Sequence, residues 1–251
     1  MTKEQTAVKN KSTVFLMLAG IYVVLFEFIL PINKVLPKPS IFLESFIHIW
    51  FDYNLLSAFT VTATVVYISM LFGFVQIFIG MSNYLKIFSL MEGSVISLRF
   101  FSYLTPFFFL IIFNFWFPDY LAGEFLFAFL VASFWILRTL FEESKKVKEE
   151  YLLTARNLEL KQSEIIEKVY WKSALPGIFT NLRSVNIQLW LLILMYEFIG
   201  NYNGAGYIYR LAFTYKDFTA LFTLALLCAV LIFIGDYLIK QIQNKFVNWT
   251  A

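Results

Sequence analysis

Six long apolar runs constrain the fold of this sequence more than any other feature. They cover residues 13–32, 55–79, 94–117, 120–141, 174–199 and 219–239. The apolar core of a bilayer is about 30 Å thick and takes about 20 helical residues to cross, so each run can span a membrane. Hydrophobic residues make up 60% of the chain and charged residues only 15%, against roughly a quarter in soluble domains. The sequence therefore predicts an all-α membrane protein with six transmembrane helices in one domain, residues 1–251.

The composition also excludes several kinds of chemistry. One cysteine, Cys228, and one histidine, His48, cannot form a disulfide framework or a histidine/cysteine metal cluster within one chain. The phosphate-loop motif G-x-x-x-x-G-K-[ST] does not occur in the sequence, and 251 residues leave little room for a nucleotide-binding domain beside six spans. We therefore expect no catalytic residue, metal or cofactor in this chain, and no nucleic-acid partner.

One polar segment, residues 142–173, interrupts the apolar runs. It carries seven acidic and seven basic residues between Glu142 and Lys172, so its net charge is zero and it does not resemble a polybasic membrane tether. An apolar stripe recurs in it at steps of three and four residues, as on one helix face: Ala155, Leu158, Gln162, Ile165, Ile166 and Val169. This stripe must be buried either against the protein's own helices or against another protein.

Lysines and arginines are unevenly distributed between the segments that join the runs. With both termini inside the cell, the inner segments hold 13 basic residues, seven of them in the polar segment, and the outer segments hold 4. This asymmetry predicts a multi-pass protein with both termini in the cytoplasm. The first run follows Lys3, Lys9 and Lys11 without a small-residue cleavage site after it, so we expect it to be retained as a span.

A set of short motifs begins inside the polar segment and continues to residue 236. Leu153-Thr154-Ala155-Arg156-Asn157-Leu158-Glu159 takes the place of E-A-A-x-x-x-G, Val169 falls at the isoleucine of a following I-x-L-P, and Ala174-Leu175-Pro176 matches a further A-L-P. Leu182-Arg183, Glu197, Gly204-Ala205-Gly206-Tyr207-Ile208 and Gly235-Asp236 follow in order. In these motifs the chain resembles the inner-membrane permease subunits of binding-protein-dependent ABC importers, most closely the nitrate, sulfonate, taurine and bicarbonate branch.

This resemblance implies a fold, a function and a set of partners. The fold would be that of a type I importer permease, which works as a dimer with a second copy or with a different permease subunit. The function would be import of a small solute through the bacterial inner membrane. A periplasmic or lipid-anchored binding protein would deliver the solute, membrane lipids would surround the chain, and separate ABC ATPase subunits would bind ATP and Mg²⁺.

The same resemblance implies that the polar segment couples this chain to the ATPase. The coupling residues would be Leu153, Thr154, Ala155, Arg156, Asn157, Leu158, Glu159, Leu160, Gln162, Ile165, Ile166 and Val169. Glu159 departs from the family, because it stands where the family loop has a glycine that permits a sharp bend. A left-handed conformation costs glutamate about 1 kcal/mol or more, so we expect Glu159 to continue a helix. The departure fits an unusual ATPase partner, a second permease with the standard loop, or drift in the loop.

The fifth run carries a polar stripe. At 100° per residue, Arg183, Asn186, Trp190 and Glu197 lie within a sector of about 60° on one helix face. Arg183 and Glu197 are about 21 Å apart along the helix axis, so each needs a partner elsewhere. These residues either line a translocation path or form interhelical hydrogen bonds, and Arg183 either joins them or extends to the inner membrane surface.

Two further features leave alternatives open. Gly204 and Gly206 permit a tight turn or a close backbone approach, and the resemblance implies that they and Tyr207 form an outer gate or a contact for the binding protein. The 31 phenylalanines are either lipid-facing bulk or the lining of a route for an apolar cargo. Two other functions therefore remain: an ion-coupled secondary carrier or channel that uses Glu27, Arg183 and Glu197, and an ABC permease for a lipid or another hydrophobic cargo.

Overall fold

A computed structural model describes residues 13–14, 17–18, 20–29, 38–90, 106–118, 121–200 and 203–247 of the chain. Regular structure in these residues is helical throughout, which confirms the predicted all-helical class. The first helices are α1 (Gly20–Ile29), α2 (Pro39–Asp52), α3 (Leu55–Leu90), α4 (Pro106–Trp116), α5 (Leu121–Ser144) and α6 (Glu149–Asn157). There follow α7 (Gln162–Ile165), a π-helical segment (Ile166–Trp171), α8 (Lys172–Gly200), α9 (Ala205–Thr214) and α10 (Phe218–Phe246).

Among the described residues, four helices are long and apolar enough to cross a membrane. They are Leu55–Ile87 within α3, Leu121–Ser144, the unbroken helix Gln162–Gly200 that joins α7 to α8, and Phe218–Phe246. These candidate spans correspond to the predicted runs at 55–79, 120–141, 174–199 and 219–239. The runs at 13–32 and 94–117 correspond to the shorter apolar helices Gly20–Ile29 and Pro106–Trp116, and their remaining parts fall partly outside the described residues. The count of six spans therefore stays a prediction.

The chain divides into two compact units. One combines Met1–Leu56 with Ile208–Cys228, and in it Glu27 on α1 accepts hydrogen bonds from the backbone N–H and the hydroxyl of Ser40, at 3.3 and 3.0 Å. The other combines Ser57–Tyr207 with Ala229–Ala251. This second unit holds the predicted coupling residues, the polar stripe and the two glycines.

The helices α5 and α8 form the central packed pair of the second unit. Buried residues recur along α5 at Ala128, Ala132, Ile136 and Leu140, and along α8 at Ile178, Leu182, Val185, Leu189, Ile193 and Tyr196. Both sets follow the three- and four-residue steps of a single helix face. Small residues such as the two alanines let helix backbones approach closely, which favours helix association in lipid. Leu130 and Leu191 are exposed on these same helices, as expected for side chains that contact lipid tails.

Candidate functional site

The helices α6 and α7 form a bent hairpin, and Glu159 lies at the bend. The N–H of Leu160 donates to the carbonyl oxygen of Ala155 at 3.2 Å, and the N–H of Glu159 donates to that of Arg156 at 2.9 Å. These two bonds form the Schellman motif that ends many helices. Glu159 has a φ of 54°, the left-handed conformation that favours glycine. The expectation that Glu159 continues a helix is therefore wrong, because the two backbone bonds hold the bend at this position without glycine.

The start of α7 is fixed by one carboxylate. Glu164 accepts a hydrogen bond from the backbone N–H of Lys161 at 3.0 Å and another from the ammonium group of Lys168, also at 3.0 Å. The first bond satisfies one of the N–H groups that a helix start leaves unpaired. The hairpin therefore has a defined end to its first helix and a defined start to its second.

The predicted apolar stripe divides between two surroundings. Ala155, Ile165 and Ile166 are buried, with 3–5% of their surface exposed, whereas Leu158 is 67% exposed. Val169 and Leu160 are half-buried, and the other predicted coupling residues are exposed: Leu153, Thr154, Arg156, Asn157, Glu159 and Gln162. The stripe therefore packs partly on the protein's own helices, and the part around Leu158 is left uncovered by the described residues.

Tyr151 and Leu158 form what we name the hairpin ridge. They are seven residues apart, so they lie on the same helix face, and 55% and 67% of their surfaces are exposed. Beside the ridge is a groove of about 290 Å³, which is lined by Tyr151, Thr154, Ala155, Leu158, Lys168 and Val169 among others. Exposed aromatic and aliphatic side chains beside a groove are typical of protein docking surfaces.

The N-terminal half of the polar stripe on α8 forms hydrogen bonds to α10. Arg183 makes two parallel hydrogen bonds to Asp236, at 2.7 and 2.8 Å. The side-chain amide of Asn186 donates to the carbonyl oxygen of Ile232 at 3.0 Å. Arg183 therefore pairs with a neighbouring helix, and its extension to the inner membrane surface stays a prediction.

The C-terminal half of the polar stripe forms hydrogen bonds to α3. The indole N–H of Trp190 donates to the hydroxyl of Tyr67 at 3.3 Å, and the two rings meet edge to face at 6.2 Å between centroids. Trp190 is completely buried. All of these bonds join neighbouring helices within one chain, and the lining of a translocation path by the same residues stays a prediction.

Glu197, near the end of α8, binds two other elements. Its carboxyl group is completely buried and accepts hydrogen bonds from the Thr62 hydroxyl on α3 and from the backbone N–H of Gly206 on α9, both at 2.6 Å. The Thr62 hydroxyl oxygen also accepts the N–H of Ala205 at 2.9 Å. We name this arrangement of Thr62, Glu197 and the turn 204–206 the α8–α9 latch.

The two glycines are required by the close packing of this latch. A side chain at Gly204 would collide with the carboxyl group of Glu197, and one at Gly206 would collide with the carbonyl oxygen of Leu194. Neither glycine has a positive φ, so the reason for glycine here is close approach and not an unusual conformation. Tyr207 is half-buried directly after them. A gate or a binding-protein contact at these three residues stays a prediction.

A second carboxyl group, which the sequence analysis does not single out, lies against Glu197. Glu124 is on the first turn of α5, is completely buried, and its carboxyl group interacts with that of Glu197. Neither of its oxygen atoms accepts a hydrogen bond from the described residues. The sequence contains a signal for this site, since Glu124 is an acidic residue within the apolar run 120–141.

Two cavities border the candidate spans of the second unit. A cavity of about 490 Å³ between α3, α4 and α5 has phenylalanine walls and a polar edge, where Ser133 and Tyr84 both bond to the side-chain amide of Gln76. A groove of about 560 Å³ between α3, α8 and α10 is almost entirely apolar, with Phe74, Phe78, Trp171, Phe179 and Phe246 in its lining. Part of the phenylalanine content therefore lines cavities, and both interpretations of that content stay open.

The fold and the site define a class of protein: a multi-pass helical membrane protein, with a charged helical hairpin between two candidate spans and hydrogen-bonded polar groups buried within the bundle. The chain belongs to the family of binding-protein-dependent transport system inner membrane components, whose model matches residues 89–248. This confirms the predicted resemblance to permease subunits and the predicted inner-membrane location.

A similar curated protein is a putative aliphatic sulfonates transport permease protein of Bacillus subtilis (strain 168). It is 27% identical over 145 residues, and the aligned region covers 58% of this chain and 51% of that protein. The match therefore spans about half the length of the curated relative.

Proposed function

We propose that this chain is the membrane subunit of an ABC importer, which takes a small solute from a binding protein and is powered by separate ATPase subunits that bind ATP and Mg²⁺. The hairpin ridge is the observation that carries this proposal. Tyr151 and Leu158 expose apolar surface on a largely polar segment, next to a groove, while the second half of the hairpin is packed on the bundle. A surface of this kind suits the docking of an ATPase that drives the membrane helices.

The connection from the hairpin to the bundle supports the transmission of motion. The chain runs from α7 through the π-helical segment into α8 without a break, so displacement of the hairpin displaces α8. The π-helical turn and Pro176 disturb the regular backbone hydrogen bonds near the junction of the hairpin and α8. The continuous helix can therefore bend there while it moves. At its other end α8 holds α3 and α9 through the α8–α9 latch. Nucleotide-driven movement would thus reach both ends of a path formed with a second permease subunit.

The orientation that fits this mechanism places the hairpin in the cytoplasm and the α8–α9 latch at the outer side. The apolar part of the helix Gln162–Gly200, residues 174–199, separates the bend of the hairpin from the turn 204–206 of the latch, so in this orientation the two features would lie on opposite sides of the membrane. The basic residues predict the same orientation, since seven of them lie in the segment that contains the hairpin.

The test uses the affinity-tagged full chain, purified in mild detergent from its own host. We expect an ATPase with a phosphate-loop motif to co-purify, as identified by mass spectrometry, and Leu158→Glu to reduce its recovery severalfold because a charge would be placed in an apolar contact. Leu158 is a better target than the predicted Ala155, which is buried and whose substitution would disturb the hairpin itself.

Ser163→Glu is the matched control for this experiment. Ser163 is exposed on the same hairpin, so the substitution adds the same charge without removing apolar surface from the ridge. Recovery of the ATPase with Ser163→Glu should equal that of the wild type. Equal recovery with Leu158→Glu, or the absence of any ATPase from the wild-type preparation, would contradict the proposal.

A second candidate cargo is a lipid or another hydrophobic molecule, which the apolar groove between α3, α8 and α10 favours. Family membership favours an ABC permease, for either kind of cargo, over the ion-coupled carrier. Mass spectrometry of small molecules retained by the purified complex distinguishes the two cargoes. A bound lipid that is lost with Phe179→Ala would favour the hydrophobic cargo, and retention of a polar solute would favour the first proposal.

A further inference from the structure

Two acidic side chains meet inside the second unit without a basic partner. The carboxyl groups of Glu124 and Glu197 are both completely buried and interact with each other. None of the ion pairs among the described residues includes either of them. The groups that bond to the pair are neutral, namely the Thr62 hydroxyl and the N–H of Gly206.

The two carboxyl groups differ in their surroundings. Glu197 accepts two short hydrogen bonds, which stabilise a negative charge on it. Glu124 accepts none from the described residues, although both of its oxygen atoms are buried. A buried charge is strongly destabilising unless it is paired or hydrogen-bonded. Two adjacent negative charges would add their repulsion to that cost, and a positive charge held by the pair would remove both penalties.

We propose that Glu124 and Glu197 form a buried cation site that takes up positive charge, either as a proton shared between the two carboxyl groups or as a metal cation. Pairs of carboxyl groups that share one proton occur in enzymes where two acids lie about 3 Å apart. The oxygen-only set of two carboxylates and the Thr62 hydroxyl also suits a hard cation such as Na⁺ or Ca²⁺. In both forms the ligand joins α5 to the α8–α9 latch, and its loss leaves like charges facing each other between α5 and α8.

Infrared difference spectroscopy of the purified full chain in lipid nanodiscs tests the site directly. In a choline buffer near neutral pH, a shared proton gives the carbonyl band of a protonated carboxyl group. We expect this band in the wild type and its loss in Glu124→Gln, where Glu197 keeps the two hydrogen bonds that stabilise its charge. In Glu197→Gln the band should shift but persist, because Glu124 stays buried without a hydrogen-bond donor among the described residues.

Thermal unfolding with Na⁺, K⁺, Mg²⁺ or Ca²⁺ added in turn tests the metal form. If a metal cation occupies the site, one of these ions raises the unfolding temperature of the wild type relative to choline, and the rise is lost in Glu124→Gln. The infrared band and the ion response in the wild type do not depend on whether a variant folds.

Glu27→Gln serves as the control, because the carboxyl group of Glu27 already accepts two hydrogen bonds from Ser40. This variant should keep the band or the ion response of the wild type. A wild type with neither the band nor an ion response would overturn the proposal. The same conclusion would follow if the signal persisted in full in Glu124→Gln. Neither readout depends on transport, so the site can be tested apart from the proposed import function.

Discussion

At the scale of single residues, the polar side chains inside this bundle have specific hydrogen-bond partners on neighbouring helices. Asn186 bonds to a carbonyl group on α10, and Trp190 bonds to a tyrosine hydroxyl on α3. In an apolar medium a buried polar group without a partner costs several kcal/mol. These residues therefore fix which helices are neighbours, whatever further part they play in transport.

The contribution of such hydrogen bonds to stability is easiest to measure at Thr62. Thr62→Val keeps the shape of the side chain but removes the donor to Glu197 and the acceptor for the N–H of Ala205. We expect the free energy of unfolding, measured by denaturation in mixed micelles, to fall by about 1–3 kcal/mol because buried polar groups are left unpaired.

Thr64→Val is the control for the Thr62 experiment, since Thr64 is exposed on the same helix. Its effect on the free energy of unfolding should be within about 0.5 kcal/mol of zero. A comparable loss of stability in both variants would mean that the Thr62 bonds contribute little beyond local helix propensity.

At the scale of elements, the hairpin and its continuation into α8 are the features on which the proposed coupling depends. The bend at Glu159 sets the direction in which the hairpin ridge points, and the backbone bonds of the Schellman motif maintain it. The ion pair between Arg183 and Asp236 joins α8 to α10 further along the same helix. Each of these features can be altered without removing apolar surface from the ridge.

Glu159→Gly should stabilise the hairpin. Glycine adopts a positive φ without the steric cost that glutamate pays, so we expect a local gain of up to about 1 kcal/mol. Hydrogen exchange of the amides between Ala155 and Ile166 measures this as slower exchange. Glu167→Gly is the control, because Glu167 is exposed within helical structure and glycine there should accelerate exchange. Faster exchange in both variants would show that the left-handed conformation at Glu159 is not the source of strain.

The pair Arg183–Asp236 should show a measurable coupling energy in a double-mutant cycle of Arg183→Met and Asp236→Asn. The side chains are 37% and 25% exposed, so solvent screens the pair partly and we expect a coupling of about 1 kcal/mol. The pair Arg138–Glu142 has a similar distance, 2.8 Å, but is 55% and 57% exposed within one helix. Its coupling should be about 0.3–0.5 kcal/mol, and equal values for the two pairs would argue against a link between α8 and α10.

At the scale of the whole molecule, the proposed function depends on the arrangement of the chain across the membrane. The apolar part of the helix Gln162–Gly200, residues 174–199, separates the hairpin from the segment after α9, and α9 itself, with ten residues, is too short to cross. The hairpin and residue Tyr215 should therefore face opposite sides.

Cysteine labelling of intact cells tests this topology. In a Cys228→Ser background, single cysteines are introduced as Ser163→Cys and Tyr215→Cys, two positions that are exposed. A membrane-impermeant maleimide applied from outside the inner membrane should label position 215 and not position 163. Labelling of both positions should occur only after the membrane is permeabilised. The reverse pattern would place the hairpin outside and exclude contact with a cytoplasmic ATPase.

The sequence by itself determined the helical class, the candidate spans and the family, because these depend on the length of apolar runs and on short motifs along one chain. It also placed Arg183, Asn186, Trp190 and Glu197 on one helix face, since helical periodicity is a local property. Which partners these residues meet was decided by the tertiary structure: Asp236 and Thr62 are 53 and 135 positions away from Arg183 and Glu197. Glu159 and Glu124 could not be assigned from the sequence for the same reason. At Glu159, backbone hydrogen bonds override the preference of glutamate for a helix, and packing of α5 on α8 brings Glu124 to Glu197.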